Sequence, residues 1–240
     1  MVVLLLYIDL IFSICYTVKR GENMFSVIFD MDGTLLDTQK ICIPAWEDSG
    51  IRQGIVGVGN DVVSVCGMNE TGWTNFLSEK YPNLDIPRFK QEMREYIIRN
   101  GVVRFKEGAG ELLDYLKDNN IKIAIASGSS KETIHHHLSK VDALNKFDAI
   151  VGGRDVKNGK PSPDIFLKAA ELLYTPPENC FVLEDSANGI IAGHKAGMKC
   201  IGIPDVVAFD SKIKKLMFKE LSSLSQAISI FEEYQKNNPN

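Results

Sequence analysis

The sequence predicts an α/β fold, in which a doubly wound parallel sheet forms the core and a helical domain is inserted into it. After about residue 108, short apolar runs alternate with segments of helical periodicity, an order typical of parallel strands joined by helical crossovers. Between the first apolar run and residue 108, helical periodicity dominates, which indicates a helical insert. A chain of 240 residues can bury a core of this kind, as one domain or two.

The first strand is predicted at 25–29, an apolar run typical of a buried parallel strand. It ends in two carboxylates, Asp30 and Asp32, and Gly33 then breaks the pattern. Alternate residues of an extended chain point to the same side, so both acids can face one ligand. An acidic turn would explain Gly33 but not two acids beside apolar flanks. We therefore expect a functional site at this strand end.

The predicted insert covers residues 38–107, with helical periodicity at 73–81 and 89–98. Its glycine-rich stretch 54–59 lacks the lysine of a phosphate-binding loop and is interpreted as a flexible turn. Three prolines are expected to punctuate the segment: Pro44, Pro82 and Pro87.

The remaining strands are predicted from apolar runs that end in polar groups or turns, and the helices from amphipathic spacing between them. The strands are 121–126, 147–151, 180–183 and 199–203. The helices are 111–119, 131–140, 164–173, 187–196 and, closing the chain, 221–234.

Polar side chains follow three of these strands: Asp30 and Asp32, Ser127, and the pair Glu184 and Asp185. The carboxyl ends of parallel strands meet at one edge of a sheet, so these groups become neighbours. Several acids need a compensating charge, and oxygen ligands favour Mg²⁺.

Lys160 lies in a proline-stiffened loop at a helix start, and with Ser127 it could hold an anionic group beside the cation, most simply a phosphoryl group. Each residue also has a structural interpretation. Ser127 could cap the next helix, Lys160 could be a solvated surface residue, and 184–185 could be a polar helix start. The three histidines 135–137 splay around a helix and are interpreted as surface or partly buried residues, not metal ligands.

Four motifs occur in order: DMDGTLLDT from Asp30, ASGS from Ala126, GKPSPD from Gly159, and EDSANGIIAGHKAGM from Glu184. Together they resemble the haloacid dehalogenase-like superfamily, in particular its β-phosphoglucomutase-like phosphatase branch. The resemblance implies a Rossmann-like core of residues 24–37 and 108–240, a helical cap of residues 38–107, and a small phosphorylated metabolite as substrate.

The resemblance also implies roles for individual residues. Asp30 is expected to attack phosphorus and form an aspartyl-phosphate, and Asp32 to act as general acid and base. Mg²⁺ is expected on Asp30, the main-chain carbonyl of Asp32 and Asp185, with Glu184 either as a further ligand or as a residue that supports the ligands. Phosphoryl oxygens are expected on Ser127, the Gly128 amide and Lys160, which also offsets the charge of the nucleophile.

The resemblance leaves phosphatase and mutase open, with phosphatase preferred. Mutases of this branch carry a histidine where this chain has Cys42, and a phosphate-gripping arginine where it has 66–69. Arg52, Lys80 or Arg104 could substitute for that arginine. A protein that binds phosphorylated ligands without catalysis is a further alternative.

Composition narrows the partners and the location. The net charge of −4 gives no basic surface for nucleic acid, and five cysteines without close pairing suit a reducing cytoplasm. Residues 1–23 form an apolar extension interrupted by Asp9, which we interpret as lying outside the fold. A membrane is expected as a partner only if this extension is an anchor. A monomer is the default expectation.

Overall fold

The computed structural model of the protein describes residues 25–238, so the prediction for residues 1–23 lies outside the described part of the chain. Six parallel strands form one sheet in the order β3-β2-β1-β4-β5-β6. The strands are β1 (Ser26–Phe29), β2 (Lys122–Ala126), β3 (Ala149–Val151), β4 (Cys180–Glu184), β5 (Lys199–Gly202) and β6 (Lys219–Glu220). The predicted α/β class and its parallel sheet are confirmed.

The helices follow the predicted alternation. They are α1 (Gln39–Ile51), α2 (Val62–Val65), α3 (Glu70–Lys80), α4 (Ile86–Asn100), α5 (Ala109–Asp118), α6 (Lys131–Lys140), α7 (Asp164–Leu173), α8 (Ala187–Lys195), α9 (Ser211–Lys214) and α10 (Ala227–Asn237). We call residues 39–100, which contain α1 to α4, the insert, and the rest of the described chain the core.

Two predictions near the end of the chain need correction. Strand β6 was not predicted, because it has only two residues and both are exposed, so it leaves no apolar run. The closing helix begins at Ala227, whereas a helix from 221 was expected. Leu221 and Leu224 are buried, but they lie before the helix, Leu224 in a 3-10 turn.

Alternating strand residues bury apolar side chains on both faces of the sheet, as expected for a parallel sheet covered by helices. On one face Val27 and Phe29 pack with residues of α5, α6 and α10. On the other face Ile28 packs with residues of α7 and α8. The central strand β1 is therefore held rigidly, which fixes the position of the residue that follows it.

The insert has a hydrophobic cluster of its own. The rings of Trp46 and Phe89 meet edge to face at 5.5 Å between centroids, and Trp73 packs on Trp46 at 5.4 Å. The expected helix break at Pro44 is wrong, since α1 runs through that proline. Burial of the neighbouring Ala45 and Trp46 favours continuation despite the lost backbone hydrogen bond.

The insert leaves and rejoins the core at one place. The amide of Asp37 donates to the carbonyl of Arg104 at 3.0 Å, and the amide of Lys106 donates to the carbonyl of Leu35 at 2.9 Å. The glycine-rich stretch 54–59 is turn and loop up to Gly57, as predicted, and then enters a 3-10 helix at Val58. Two of its amides, those of Gly57 and Gly59, bind the carboxylate of Glu47.

None of the helices within residues 25–238 has the length and apolarity that a bilayer crossing requires.

Candidate active site

The structure brings the predicted acidic residues together at the carboxyl edge of the sheet. Strand β1 lies between β2 and β4, with Phe29 opposite Ile125 and Leu183. Asp30 therefore emerges beside Glu184, the last residue of β4. Parallel pairing in register is the physical cause of this convergence, as the sequence predicted.

Lys160 joins two of these acids from a loop that precedes α7. Its ammonium nitrogen lies 2.6 Å from Oδ1 of Asp30 and 2.7 Å from Oε1 of Glu184. It donates a third bond to the carbonyl of Ala126 at 3.1 Å. The lysine side chain is only 1% exposed, so its interpretation as a solvated surface residue is excluded.

Asp185 is held by two donors from the first part of the chain. The hydroxyl of Thr34 donates to its Oδ1 at 3.0 Å, and Nε2 of Gln39 donates to its Oδ2 at 2.6 Å. The same Gln39 amide donates to the main-chain carbonyl of Asp32 at 3.1 Å. The carbonyl of Asp32 and the carboxylate of Asp185 are therefore brought together by the side-chain nitrogen of Gln39.

Gly33 is required for this convergence. Its φ is +89°, in the left-handed region, and a Cβ atom there would lie 2.4 Å from both Oδ2 of Asp185 and Nε2 of Gln39. A side chain at this position would separate the two halves of the site.

Crowding shifts the protonation of the buried acids. Burial raises the pKa of Asp30 to about 8 against the opposing charge of Lys160, and the charge of Glu184 adds to the rise. Burial, together with Glu184 and Asp30, raises the pKa of Asp185 well above its usual range. Burial alone would lower the pKa of Lys160, but Asp30 and Glu184 outweigh it and raise that pKa.

This donor set fits a divalent cation. Carboxylate oxygens of Asp30, Glu184 and Asp185 all lie within 4.8 Å of one another. Within residues 25–238, Lys160 pairs with two of these three buried acids, Asp30 and Glu184, which leaves negative charge to be compensated. Oxygen-only ligands of this kind suit Mg²⁺. The carbonyl of Asp32 is linked to this cluster through Gln39, which also binds Asp185.

Asp32 lies in a different environment, on a rim of hydroxyl groups, with its side chain 32% exposed. Its carboxylate accepts hydrogen bonds from Thr38 at 2.7 Å, Ser129 at 2.8 Å and Ser127 at 3.4 Å. An accessible carboxyl group fixed in this way can exchange protons with a ligand or with water.

The sequence did not single out three neighbours of Asp32: Thr38, Ser129 and His137. Nδ1 of His137 lies 3.9 Å from Oδ1 of Asp32, which is too far for a hydrogen bond. Burial lowers the pKa of this histidine against the opposing charge of Asp32. Its position three residues after the buried Ile134 could have placed it on the inner face of α6.

Two smaller expectations change. The cap of α6 is Ser130, whose hydroxyl accepts from the amide of Thr133 at 3.3 Å, so Ser127 does not cap this helix. The hydroxyl of Ser127 instead accepts from the amide of Ser129 at 3.1 Å and faces Asp32.

The three cations considered as substitutes for the mutase arginine are all engaged elsewhere. Arg52 pairs with Asp48 at 2.7 Å, Lys80 with Asp61 at 2.5 Å, and Arg104 with Asp37 at 3.3 Å.

A loop of the insert lies directly over this edge of the sheet. The side chain of Asn188 donates to the carbonyl of Cys66 at 3.1 Å. A Cβ atom added to Gly128 would lie 2.7 Å from the carbonyl of Met68, and one on Gly159 would lie 2.6 Å from Nδ2 of Asn69. The insert therefore touches the two core segments that carry Ser127 and Lys160.

Beside this contact lies a cavity of about 540 Å³, which we call the interface cavity. Its walls include Asn69, Glu70 and Lys90 of the insert and Gly128, Ser130 and Arg154 of the core. Because Gly128 belongs to both the strand end and the cavity wall, the cavity borders the site.

Comparison with known proteins identifies relatives of this chain in sequence and in fold. Residues 27–203 match the family model described as haloacid dehalogenase-like hydrolase. The chain is 31% identical over 183 residues to the bifunctional riboflavin kinase/FMN phosphatase of Arabidopsis thaliana, which covers 75% of this chain and 48% of that protein. It therefore spans about half the length of that relative.

Two further similarities cover most of both chains. The chain is 33% identical over 181 residues to the phosphorylated carbohydrates phosphatase of Thermotoga maritima, covering 74% of this chain and 84% of that one. The crystal structure of β-phosphoglucomutase from Clostridium difficile matches with a TM-score of 0.72 and 28% identity, covering 88% of this chain and 97% of that one.

Proposed function

The chain belongs to the haloacid dehalogenase-like hydrolase family, and from this premise we propose that it is a Mg²⁺-dependent phosphatase that acts on small phosphomonoesters such as sugar phosphates. Two facts about neighbouring carboxylates carry the proposal. Asp30 pairs with Lys160 at 2.6 Å, and Asp32, two residues later, has an accessible side chain. One carboxylate is buried and charge-paired and the other is open to solvent, which suits a nucleophile and an acid/base, respectively.

In the first step, a carboxylate oxygen of Asp30 attacks phosphorus and the bond from phosphorus to the ester oxygen breaks. Lys160 binds Oδ1, which leaves Oδ2 as the attacking atom. Asp32, in its acid form, gives its proton to the departing oxygen, so the product leaves as an alcohol. Ser127 and the Gly128 amide would hold phosphoryl oxygens in place during the transfer.

In the second step, Asp32 takes a proton from water, and the water oxygen attacks the phosphorus of the aspartyl-phosphate. The bond from phosphorus to Asp30 breaks and inorganic phosphate leaves. The hydroxyl groups of Thr38 and Ser129 keep the Asp32 carboxylate aimed at the reacting atoms through both proton transfers.

Mg²⁺ held by Asp30, the Asp32 carbonyl, Asp185 and Glu184 would supply positive charge that offsets the acids and polarises a phosphoryl oxygen. Lys160 supplies a fixed charge from the other side of Asp30. In this proposal the insert acts as a cap that excludes water from the edge of the sheet.

Two features favour hydrolysis over phosphosugar mutase activity. Burial raises the pKa of the Cys42 thiol to about 12, so the residue at the mutase histidine position is neutral and does not exchange protons near neutral pH. Residues 66–69, where mutases of this branch carry the phosphate-gripping arginine, include neither lysine nor arginine.

The test is hydrolysis of p-nitrophenyl phosphate and sugar phosphates with and without Mg²⁺. Asp30→Asn is expected to abolish turnover, and Asp114→Asn, which changes an exposed aspartate, is the matched control. Borohydride reduction of enzyme quenched during turnover should convert residue 30 to homoserine, detectable by mass spectrometry. Full activity of Asp30→Asn, or homoserine at another aspartate, would overturn the assignment.

A second variant separates the two carboxylates. Asp32→Asn should slow sugar phosphate hydrolysis by about 10²–10⁴-fold, the usual contribution of a general acid or base. With p-nitrophenyl phosphate, the rate of p-nitrophenolate release in the first turnover should decrease less, because this leaving group needs no proton. Samples quenched during that turnover give the rate. Formation of glucose 6-phosphate from β-glucose 1-phosphate with a bisphosphate activator would instead establish a mutase.

A further inference from the structure

Gln39 joins two of the proposed cation ligands through one nitrogen atom. Its Nε2 lies 2.6 Å from Oδ2 of Asp185, just after β4, and 3.1 Å from the main-chain carbonyl oxygen of Asp32, just after β1. These two oxygens belong to distant parts of the chain. Because both are bonded to the same nitrogen, neither can move away from the other without breaking a hydrogen bond.

The chemistry of the amide group fixes its orientation. A glutamine side chain offers two N–H donors on its nitrogen and an acceptor on its oxygen. The carbonyl of Asp32 has no hydrogen, so the end of the Gln39 amide that faces it must be the nitrogen. Each of the two N–H groups then has one acceptor, Asp32 or Asp185. In this arrangement Gln39 orients cation ligands and is not a ligand itself.

The amide of Gln39 has little room to move. The residue is buried, and a Cβ atom on Gly33 would lie 2.4 Å from Nε2, so the backbone of Gly33 lies close against the amide. On the insert side, the thiol of Cys66 lies 3.4 Å from Oε1. Gln39 is also the first residue of α1. The position of its nitrogen is therefore set by the core and the insert together.

The separation of ligands decides which cation a site of oxygen atoms prefers. Mg²⁺ requires short bonds in a nearly ideal octahedron, whereas Ca²⁺ accepts longer bonds and a flexible, irregular set of oxygens. Hydrogen-bond partners behind the ligands orient them, and loss of such a partner usually weakens metal binding by about 10–100-fold. A partner that fixes two ligands relative to each other should therefore favour the smaller cation.

We propose that Gln39 is a positioning residue that makes the cation site selective for Mg²⁺ over Ca²⁺, because it fixes the separation of the Asp32 carbonyl and the Asp185 carboxylate. This inference rests on the cation site of the proposed function and adds a determinant of its specificity. Thr34 provides a comparison within the same site. Its hydroxyl donates to Oδ1 of Asp185 at 3.0 Å, a bond that holds one ligand and does not join two.

The experiment measures the dissociation constants of Mg²⁺ and of Ca²⁺ by isothermal titration calorimetry, with the full chain and without substrate. Gln39→Met keeps the length of the side chain and removes both donors. We expect this variant to bind Mg²⁺ about 10–100-fold more weakly and to lose less affinity for Ca²⁺, so that the preference for Mg²⁺ falls by about tenfold.

Two further variants separate positioning from a general loss of hydrogen bonding. Thr34→Val removes one donor from Asp185 and leaves the bridge intact, so it should weaken the binding of both cations by similar factors and leave the preference unchanged. Gln91→Met makes the same chemical change at an exposed residue that pairs with Glu95, and it should alter neither constant. Circular dichroism should show that every variant is folded.

No preference for Mg²⁺ in the wild type, or the same preference in Gln39→Met, would overturn this inference. An equal fall in preference in Thr34→Val would also overturn it, and so would tighter Mg²⁺ binding in Gln39→Met, since the amide would then compete with the cation. These outcomes leave the phosphatase function standing, because calorimetry needs no turnover.

Absence of phosphate release from every substrate, by folded wild-type protein with Mg²⁺, would overturn the proposed function while calorimetry still decides the role of Gln39. Absence of Mg²⁺ binding by the folded wild type would overturn both.

Discussion

Two lysines of this protein, Lys160 and Lys90, pair with acids in opposite surroundings. Lys160 joins Asp30 and Glu184 at the sheet edge with a side chain that is 1% exposed. Lys90 contacts Glu70 at the interface cavity, is 36% exposed, and lies on a helix of the insert. The lysine–carboxylate pairs of Lys160 are therefore buried and fixed, whereas the pair of Lys90 with Glu70 is in contact with water and can rearrange.

The comparison indicates a division of work between the two regions. A buried ion pair at a strand end cannot rearrange without leaving charges unpaired, so it keeps reacting groups in fixed geometry. An ion pair open to water costs little to rearrange, so it does not hold its groups in one position. We expect the core to set the reaction and the insert surface to set the substrate.

The largest effect is expected where the buried network is broken. Lys160→Met leaves Asp30 and Glu184 unpaired, which should lower the free energy of unfolding by about 3–5 kcal/mol and remove activity. Since burial raises the pKa of Asp30, this unpaired acid can take up a proton, and the loss should be smaller at pH 5 than at pH 8. Urea unfolding followed by circular dichroism at both pH values provides the measurement. An equal loss at both values would contradict the electrostatic explanation.

The next largest effect is expected in the pH dependence of stability at the proposed Mg²⁺ site. Burial raises the pKa of Asp30 to about 8, and burial together with neighbouring acids also raises that of Asp185. Stability from these groups is complete below pH 4 and is lost as pH rises through their folded-state pKa values. In chelator at pH 9, Asp185→Asn should therefore be more stable than the wild type, and this difference should disappear at pH 4.

Thermal unfolding with chelator and with millimolar Mg²⁺ checks this prediction. The wild type should gain thermal stability from Mg²⁺, because a ligand that binds the folded state stabilises it, and Asp185→Asn should gain little. The same Mg²⁺ stabilisation in both proteins would remove Asp185 from the proposed ligands.

A smaller effect is expected where the two regions touch. A Cβ atom on Gly159 would lie 2.6 Å from Nδ2 of Asn69, so Gly159→Ala should hinder docking of the insert and raise KM by about tenfold. Asn69→Gly removes the clash, and replacing this helix N-cap by glycine lowers stability by only a few tenths of a kcal/mol. The double variant should therefore have a KM close to that of the wild type. Gly110→Ala, with open space around its Cβ, is the control. No recovery in the double variant would assign the loss to a displaced Lys160 instead.

The smallest effect is expected at the solvated lysine. Lys90→Met repeats the chemical change of Lys160→Met, yet it should alter the free energy of unfolding by about 1 kcal/mol or less. The same urea measurement applies. A loss as large as that of Lys160→Met would show that the interface cavity is as rigid as the sheet edge.

Much of the fold was predictable because buried strands and amphipathic helices leave local patterns. The apolar run before Asp30 and the run before Glu184 define adjacent strands, and parallel pairing then brings their ends together. The exposed strand β6 left no pattern, since neither of its two residues is buried. Pro44 signalled a break that packing of Trp46 in the insert overrides.

The sequence by itself determined the location of the candidate site at the carboxyl edge of the sheet. Asp30 and Asp185 follow predicted strands and Lys160 lies in a predicted loop, and local hydrophobic patterns indicate where these strands and helices begin and end. Tertiary structure alone decided which groups surround that chemistry. His137 beside Asp32, and Lys90 with Arg154 around Glu70, are neighbours only because helices from distant parts of the chain pack at particular angles. Such contacts depend on the packing of whole elements, which no short stretch of sequence specifies.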